Sequence, residues 1–156
     1  MSDLFPVLRV LGVLLCMFAL AMGLPLAVSL GHDDGVWQAY PLAMLVALGA
    51  GASLSWGLRR YKRELQPRHG VILVTLVWVL LPLCAALPLW LALQWVGRPV
   101  TFTHAYFEAV SGLTTTGSTV LSGVDALPLS VNVWRTFLQW LGGMGILILA
   151  VAVLPL

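Results

Sequence analysis

The sequence predicts an all-α transmembrane fold: four membrane-spanning helices, with one re-entrant pore helix and its filter loop inserted between the third and the fourth. Three observations predict it. The 156 residues are 60% hydrophobic and only 9% charged, where a soluble domain carries about 25% charged residues. Long apolar runs recur, and about 20 residues at 1.5 Å each cross a ~30 Å hydrocarbon core. Between the last two runs lies THAYFEAVSGLTTTGSTV, residues 103–120. That stretch is too short and too polar to span a bilayer, yet apolar enough to dip into one.

The first run, residues 10–30, follows Arg9. It is longer than the ~7–15 apolar residues of a secretory signal and reads as a retained span. Pro25 is expected to kink it, because proline removes a hydrogen bond and crowds the carbonyl four residues earlier. Residues 31–35, GHDDG, form a tight polar turn. A metal site built from His32, Asp33 and Asp34 is only weakly indicated. The second span covers residues 36–58, with Trp37, Tyr40 and Trp56 placed as an aromatic belt would place them. Its small residues, Gly49 to Ser53, suit close helix packing.

Five of the eight basic residues fall at Arg59, Arg60, Lys62, Arg63 and Arg68. The positive-inside rule puts this turn, and with it the N-terminus, on the cytoplasmic side. So clustered a charge suits a topology signal and offers no face to nucleic acid. Cys16 and Cys84 each lie in an apolar run and read as small packing residues. Residues 70–96 make the third span, bent at Pro82 and Pro88, and Gly97, Arg98 and Pro99 end it.

Thr101 or Thr103 can cap a short helix. About 11 residues then give roughly 16 Å of helix, half the membrane's depth. Consecutive threonines followed by glycine are poor helix material. Irregular backbone at membrane depth must be buried in protein or line water. Backbone carbonyls can replace the water shell of a large monovalent cation, being dipoles without net charge. Gly117, free to adopt positive φ, is the expected pivot. The short helix would aim its partially negative C-terminal end at the cation. The threonine hydroxyls either line the path or bond the neighbouring helices. Residues 121–130 climb back, and residues 131–154 form the fourth span with Gly142, Gly143 and Gly145 at its middle. Those glycines mark close contact with another helix, with a flexing point as the alternative. Glu108 is expected to anchor the loop or to gather cations. Arg135 is expected to snorkel to the headgroups, with Glu108 and Asp125 as alternative partners. No nucleophile–base set, Cys-x-x-Cys pair or phosphate-binding glycine loop is present, so an enzyme is not expected.

FEAVSGLTTTGSTV followed by WRTFLQWLGGMGILILAVAVLPL resembles the first pore repeat of the Trk/Ktr/HKT superfamily, in particular its bacterial TrkH-type potassium-uptake subunit. The two leading spans resemble the helix pair that precedes that repeat. The resemblance implies a leading pair over residues 1–69 and a pore repeat over residues 70–156, in a multi-pass protein of the bacterial inner membrane. It implies potassium as the transported ion, held mainly by backbone carbonyls at Thr115, Thr116, Gly117 and Ser118. One glycine and no tyrosine imply a less tightly specified filter than TVGYG, so that sodium leaks or is co-transported. The resemblance further implies that other pore repeats, or other copies of the chain, complete the path in the lipid bilayer. A cytoplasmic nucleotide-binding subunit is the implied regulator. The chain is accordingly expected to be an N-terminal piece of a longer protein. The alternatives are a non-conducting membrane assembly subunit and a carrier of anions or small solutes.

Overall fold

The computed structural model describes residues 4–59, 67–98 and 100–153. Helix α1 (Phe5–Ala21) and helix α2 (Gly23–His32) follow one another with a break at Met22. The kink expected at Pro25 thus falls one turn earlier, where the proline ring crowds the carbonyl of Ala21. Helix α3 (Ala39–Gly57), helix α4 (Pro67–Trp95), helix α5 (Phe102–Leu113), a 3-10 turn (Val124–Ala126) and helix α6 (Leu129–Val153) complete the order. Among the described residues, three stretches are long and apolar enough to cross a membrane: Phe5–His32, Ala39–Gly57 and His69–Trp95. Helix α6, the expected fourth span, has 25 residues, enough length for a crossing, but Asn132, Arg135 and Gln139 dilute its first half. The basic turn used to orient the chain lies, at residues 60–66, outside the described residues.

Helices α1 and α3 cross at two glycines. A Cβ on Gly12 would lie 2.7 Å from the Gly51 carbonyl oxygen, and one on Gly51 would lie 2.6 Å from that of Gly12. Of the small-residue run expected to pack, only Gly51 is buried in this contact; Gly49, Ala50, Ala52 and Ser53 are exposed. Helix α4 passes without interruption through Pro82 and Pro88. The carbonyls three residues before each proline receive side-chain donors from neighbouring helices. The Tyr106 hydroxyl donates to Val79 at 3.3 Å, and the Trp134 indole N–H donates to Ala85 at 3.1 Å. Such compensation is what lets proline persist in a membrane helix. Trp134 is consequently fully buried, its ring tilted against that of Phe18 of α1 with centroids 5.6 Å apart. Tyr40 is buried as well, whereas its position at a helix end suggested an interfacial belt.

One continuous core links the leading pair to the rest. It is rich in alanine: Ala39, Ala43 and Ala47 of α3, Ala85, Ala86 and Ala92 of α4, and Ala105 and Ala109 of α5 all belong to it. Large apolar side chains such as Leu20, Leu45 and Val71 point outward, as they do where the solvent is hydrocarbon.

Asp34 ties the first turn to α6 across 96 positions. Its Oδ2 accepts the Ser130 backbone N–H at 3.0 Å, while Oδ1 accepts the Ser29 hydroxyl and the Val36 N–H, the latter at 3.4 Å. The carboxylate caps α6 from outside and complements its positive end. Burial alone would raise its pKa, but hydrogen bonds from Ser130, Ser29 and Val36 outweigh burial and hold it below the ordinary carboxylate value. The Ser130 hydroxyl itself is buried without a partner of normal geometry, so the Ser130 backbone N–H is the donor that counts. Asp34→Ala is expected to destabilise the fold by about 0.5–2 kcal/mol, the usual range for a lost cap. Because the folded value is depressed, the wild type keeps this advantage above its unfolded value, about pH 3.9. It loses the advantage as pH falls through the folded value. Thermal midpoints of both proteins in detergent, converging below pH 4 and separated at pH 7, check the sign.

Candidate functional site

Helix α5 is a short helix wedged between α4 and α6. Thr101 caps it: its side chain accepts the His104 N–H at 3.3 Å. Its 12 residues rise about 18 Å, well short of a ~30 Å core. The helix stops at Leu113, and residues 114–120 have no regular structure and are exposed.

The strand is fastened to α5 by its own backbone. The N–H groups of Thr114, Thr115 and Thr116 donate to the carbonyls of Val110, Gly112 and Ser111 at 2.8, 2.9 and 2.9 Å, and the Gly117 N–H reaches Ser111 at 3.5 Å. The C-terminal carbonyls expected to face a cation instead hold the strand. Thr115 (φ 58°) and Gly117 (φ 74°) both occupy the left-handed region. The glycine was the expected pivot. Thr115 was not, since a β-branched residue rarely adopts positive φ.

These bonds set the direction of the strand's carbonyls. Across a trans peptide, a carbonyl points opposite to the following N–H. The Thr116 and Gly117 N–H groups point back to α5, so the Thr115 and Thr116 carbonyls point away from it. The Ser118 carbonyl is turned the other way, accepting the Ser111 hydroxyl at 2.6 Å; one lone pair is left to it. The threonine hydroxyls are spent locally. Thr114 Oγ1 donates to the Val110 carbonyl at 2.8 Å and lies 2.8 Å from Thr116 Oγ1, and Thr115 Oγ1 donates to the Thr114 carbonyl at 2.7 Å.

The upper end of the strand is held by a buried ion pair. Glu108 Oε1 accepts the Thr119 hydroxyl at 2.6 Å and the Val120 N–H at 2.7 Å. Its Oε2 accepts Nε and Nη2 of Arg135, each at 3.0 Å. All four acceptor positions of the carboxylate are filled. The Glu108 side chain is 2% exposed and that of Arg135 17%. Arg135 therefore does not snorkel: an arginine with a buried carboxylate in reach gains a two-pronged, charge-assisted contact. Asp125 takes no part. Arg98 holds the returning chain, donating to the carbonyls of Ser122 and Gly123 at 3.0 and 3.2 Å.

From below, the strand's root rests on α6. A Cβ on Gly142 would collide with the backbone of Leu113, whereas Gly143 has only Thr115 Cγ2 within reach at 3.8 Å and Gly145 has nothing within 4 Å. Of the three glycines, only Gly142 is required by contact.

The fold defines an all-helical, multi-pass membrane protein in which a half-length helix and an irregular segment with outward carbonyls lie between two long helices. Residues 38–156 match the TrkH cation transport protein family, and the chain belongs to that family. It is 46% identical over 149 residues to the Trk system potassium uptake protein TrkH of Halomonas elongata, covering 96% of this chain and 30% of that protein. With the same-named protein of Escherichia coli K12 it shares 43% over 148 residues, 95% of this chain and 30% of the other. The crystal structure of the potassium transporter TrkH from Vibrio parahaemolyticus superposes with a TM-score of 0.89 at 40% identity, covering 97% of this chain and 32% of that one. The chain thus spans under a third of the length of the relatives it matches.

Proposed function

We propose that this chain supplies one pore repeat, residues 70–156, and a leading helix pair, residues 1–69, to a TrkH-type potassium-uptake protein of the bacterial cytoplasmic membrane. The observation that carries the reading is the pair of carbonyls, Thr115 and Thr116, directed away from α5 on a strand pinned by Ser111 and Glu108. Uncharged oxygens held in this way bind a dehydrated monovalent cation firmly enough to strip water and weakly enough to release it. Gly117 gives the turn that continues the row. Ser118 contributes its remaining lone pair. Potassium is the cargo, and no bond is made or broken. The strand's face is open, and one strand cannot encircle an ion, so further repeats or copies close the path. The basic run 59–68 and the N-terminus face the cytoplasm, where a nucleotide-binding regulatory subunit docks.

The test uses the full-length protein that contains this chain, in a bacterium lacking other potassium uptake. Serine at position 117 must adopt a φ that costs L-residues roughly 1–2 kcal/mol. Gly117→Ser is expected to lower potassium uptake, or its selectivity over sodium, at least about 10-fold, the equivalent of 1.4 kcal/mol. Cys84→Ala is expected to leave both unchanged. Wild-type uptake and selectivity in the glycine variant would refute the assignment and favour a non-conducting packing subunit.

A further inference from the structure

Ser111 grips the strand with both of its oxygens. Its carbonyl accepts the Thr116 N–H at 2.9 Å, and its hydroxyl donates to the Ser118 carbonyl at 2.6 Å. We propose that this hydroxyl is the positioning group that sets the strand's preference for potassium over smaller cations, by holding the Ser118 carbonyl against α5. The proposal rests on the reading of residues 115–118 as the ion-binding strand.

The two grips act on different peptide planes. The Thr116 N–H bonds five positions back to Ser111, and the Thr115 N–H bonds three back to Gly112. With Thr115 in the left-handed region, this is the pairing of a Schellman cap, where glycine or asparagine usually stands at the left-handed position. The cap turns the Thr115 carbonyl outward. It does not reach Ser118, whose carbonyl is held by the Ser111 hydroxyl. A hydroxyl on a helix ordinarily donates to a carbonyl of the preceding turn, as Thr114 at the end of α5 does to Val110 at 2.8 Å. Ser111, only 5% exposed, instead donates seven positions ahead.

A carbonyl on an open strand can swing toward an ion and offers two lone pairs. The tethered Ser118 carbonyl offers one and cannot follow a smaller ion inward. Sodium and lithium need their oxygens closer than potassium does. Selectivity is ascribed either to cavity size or to the number and field strength of the carbonyls. Releasing Ser118 has the same sign under both accounts: the row can close in, and it gains a lone pair. Both changes favour the smaller ion.

The test measures initial uptake of lithium, sodium, potassium and rubidium into vesicles holding the full-length protein that contains this chain. Ser111→Ala is expected to raise sodium uptake relative to potassium at least about fivefold and lithium further, while the rubidium-to-potassium ratio moves less than about twofold. Ser111→Cys, which fills the site with a weak donor, is expected to shift the ratios the same way. Ser111→Thr, which keeps the hydroxyl, is expected to return them to the wild-type values. Should Ser111→Ala fail to fold, the cysteine variant is judged by the same criteria. Wild-type ratios, or rates that fall alike for all four cations, overturn the proposal. Gly117→Ser separates the two levels. If it alone alters the ratios, the strand binds the ion and the Ser111 hydroxyl has only a structural role, which overturns the proposal. If neither variant alters them, the reading of the strand as ion-binding falls as well.

Discussion

Arg135→Ala is expected to destabilise the full-length protein by about 3–5 kcal/mol, the usual effect of stranding one member of a buried ion pair. The loss is not the value of the contact itself. It arises because Glu108, 2% exposed, keeps its two bonds to the strand but loses the guanidinium that offsets the burial of its carboxyl group. Glu108→Ala is expected to be at least as damaging, since it also frees the Thr119 hydroxyl and the Val120 N–H. Arg135→Lys should fall between, because an ammonium cannot present two parallel donors to Oε2. The decisive variant is the double one, Glu108→Gln with Arg135→Gln. It removes both charges while the amide oxygen at 108 can still accept from the strand. A coupling energy above about 2 kcal/mol is expected in the thermodynamic cycle. Thermal midpoints in detergent give the stability, and potassium-against-sodium uptake gives the readout that a merely structural pair would not move. Should Arg135→Ala melt with the wild type, the pair contributes nothing, and the backbone bonds to α5, the Ser111 hydroxyl and Glu108 hold the strand without it.

Local signals were the ones that the sequence expressed clearly. A threonine run ending in glycine stops a helix wherever it occurs, so the end of α5 and the role of Gly117 could be read from a few neighbouring residues. Spans could be placed because hydrocarbon thickness dictates their length. What escaped was partner choice. Arg135 lies near the start of α6, where a single helix considered alone favours snorkelling; the bond to Glu108, 27 positions away, exists only because α5 lies against that face. Asp34 looked like part of a surface turn because its partner is 96 positions distant. Tyr40 looked interfacial because aromatic residues at helix ends usually are; only the packing of α3 into the core shows it buried. The positive φ of Thr115 had no signal at all. It follows from stitching residues 114–117 to the carbonyls of α5, which leaves no room for an ordinary turn.

Three long-range contacts share a consequence. Each joins α6 to something earlier in the chain: Asp34 at its first turn, Trp134 to the proline-opened carbonyl of α4, Arg135 to α5. Helix α6 is therefore seated by polar bonds along its first half before it reaches the glycines, so its position opposite Leu113 is fixed independently of the strand.

That independence makes Gly142 the most sensitive position. A methyl group there overlaps the Leu113 backbone, and two backbones cannot yield as a flexible side chain can. With α6 already fixed by Asp34, Trp134 and Arg135, the end of α5 must move. Leu113 directly precedes the strand, so the displacement passes to Thr115 and Thr116. Gly142→Ala is expected to destabilise by about 1–3 kcal/mol, as overpacking does. It is also expected to abolish selective uptake even in the fraction that remains folded. Gly145→Ala should have the opposite sign: its Cβ meets nothing, and alanine favours a helix over glycine by up to about 1 kcal/mol. Gly143→Ala, meeting one methyl at 3.8 Å, should be close to neutral. Midpoint shifts and cation uptake measured side by side for the three variants decide the matter. If all three lower stability equally, the glycines serve flexibility of α6 and not the seating of α5.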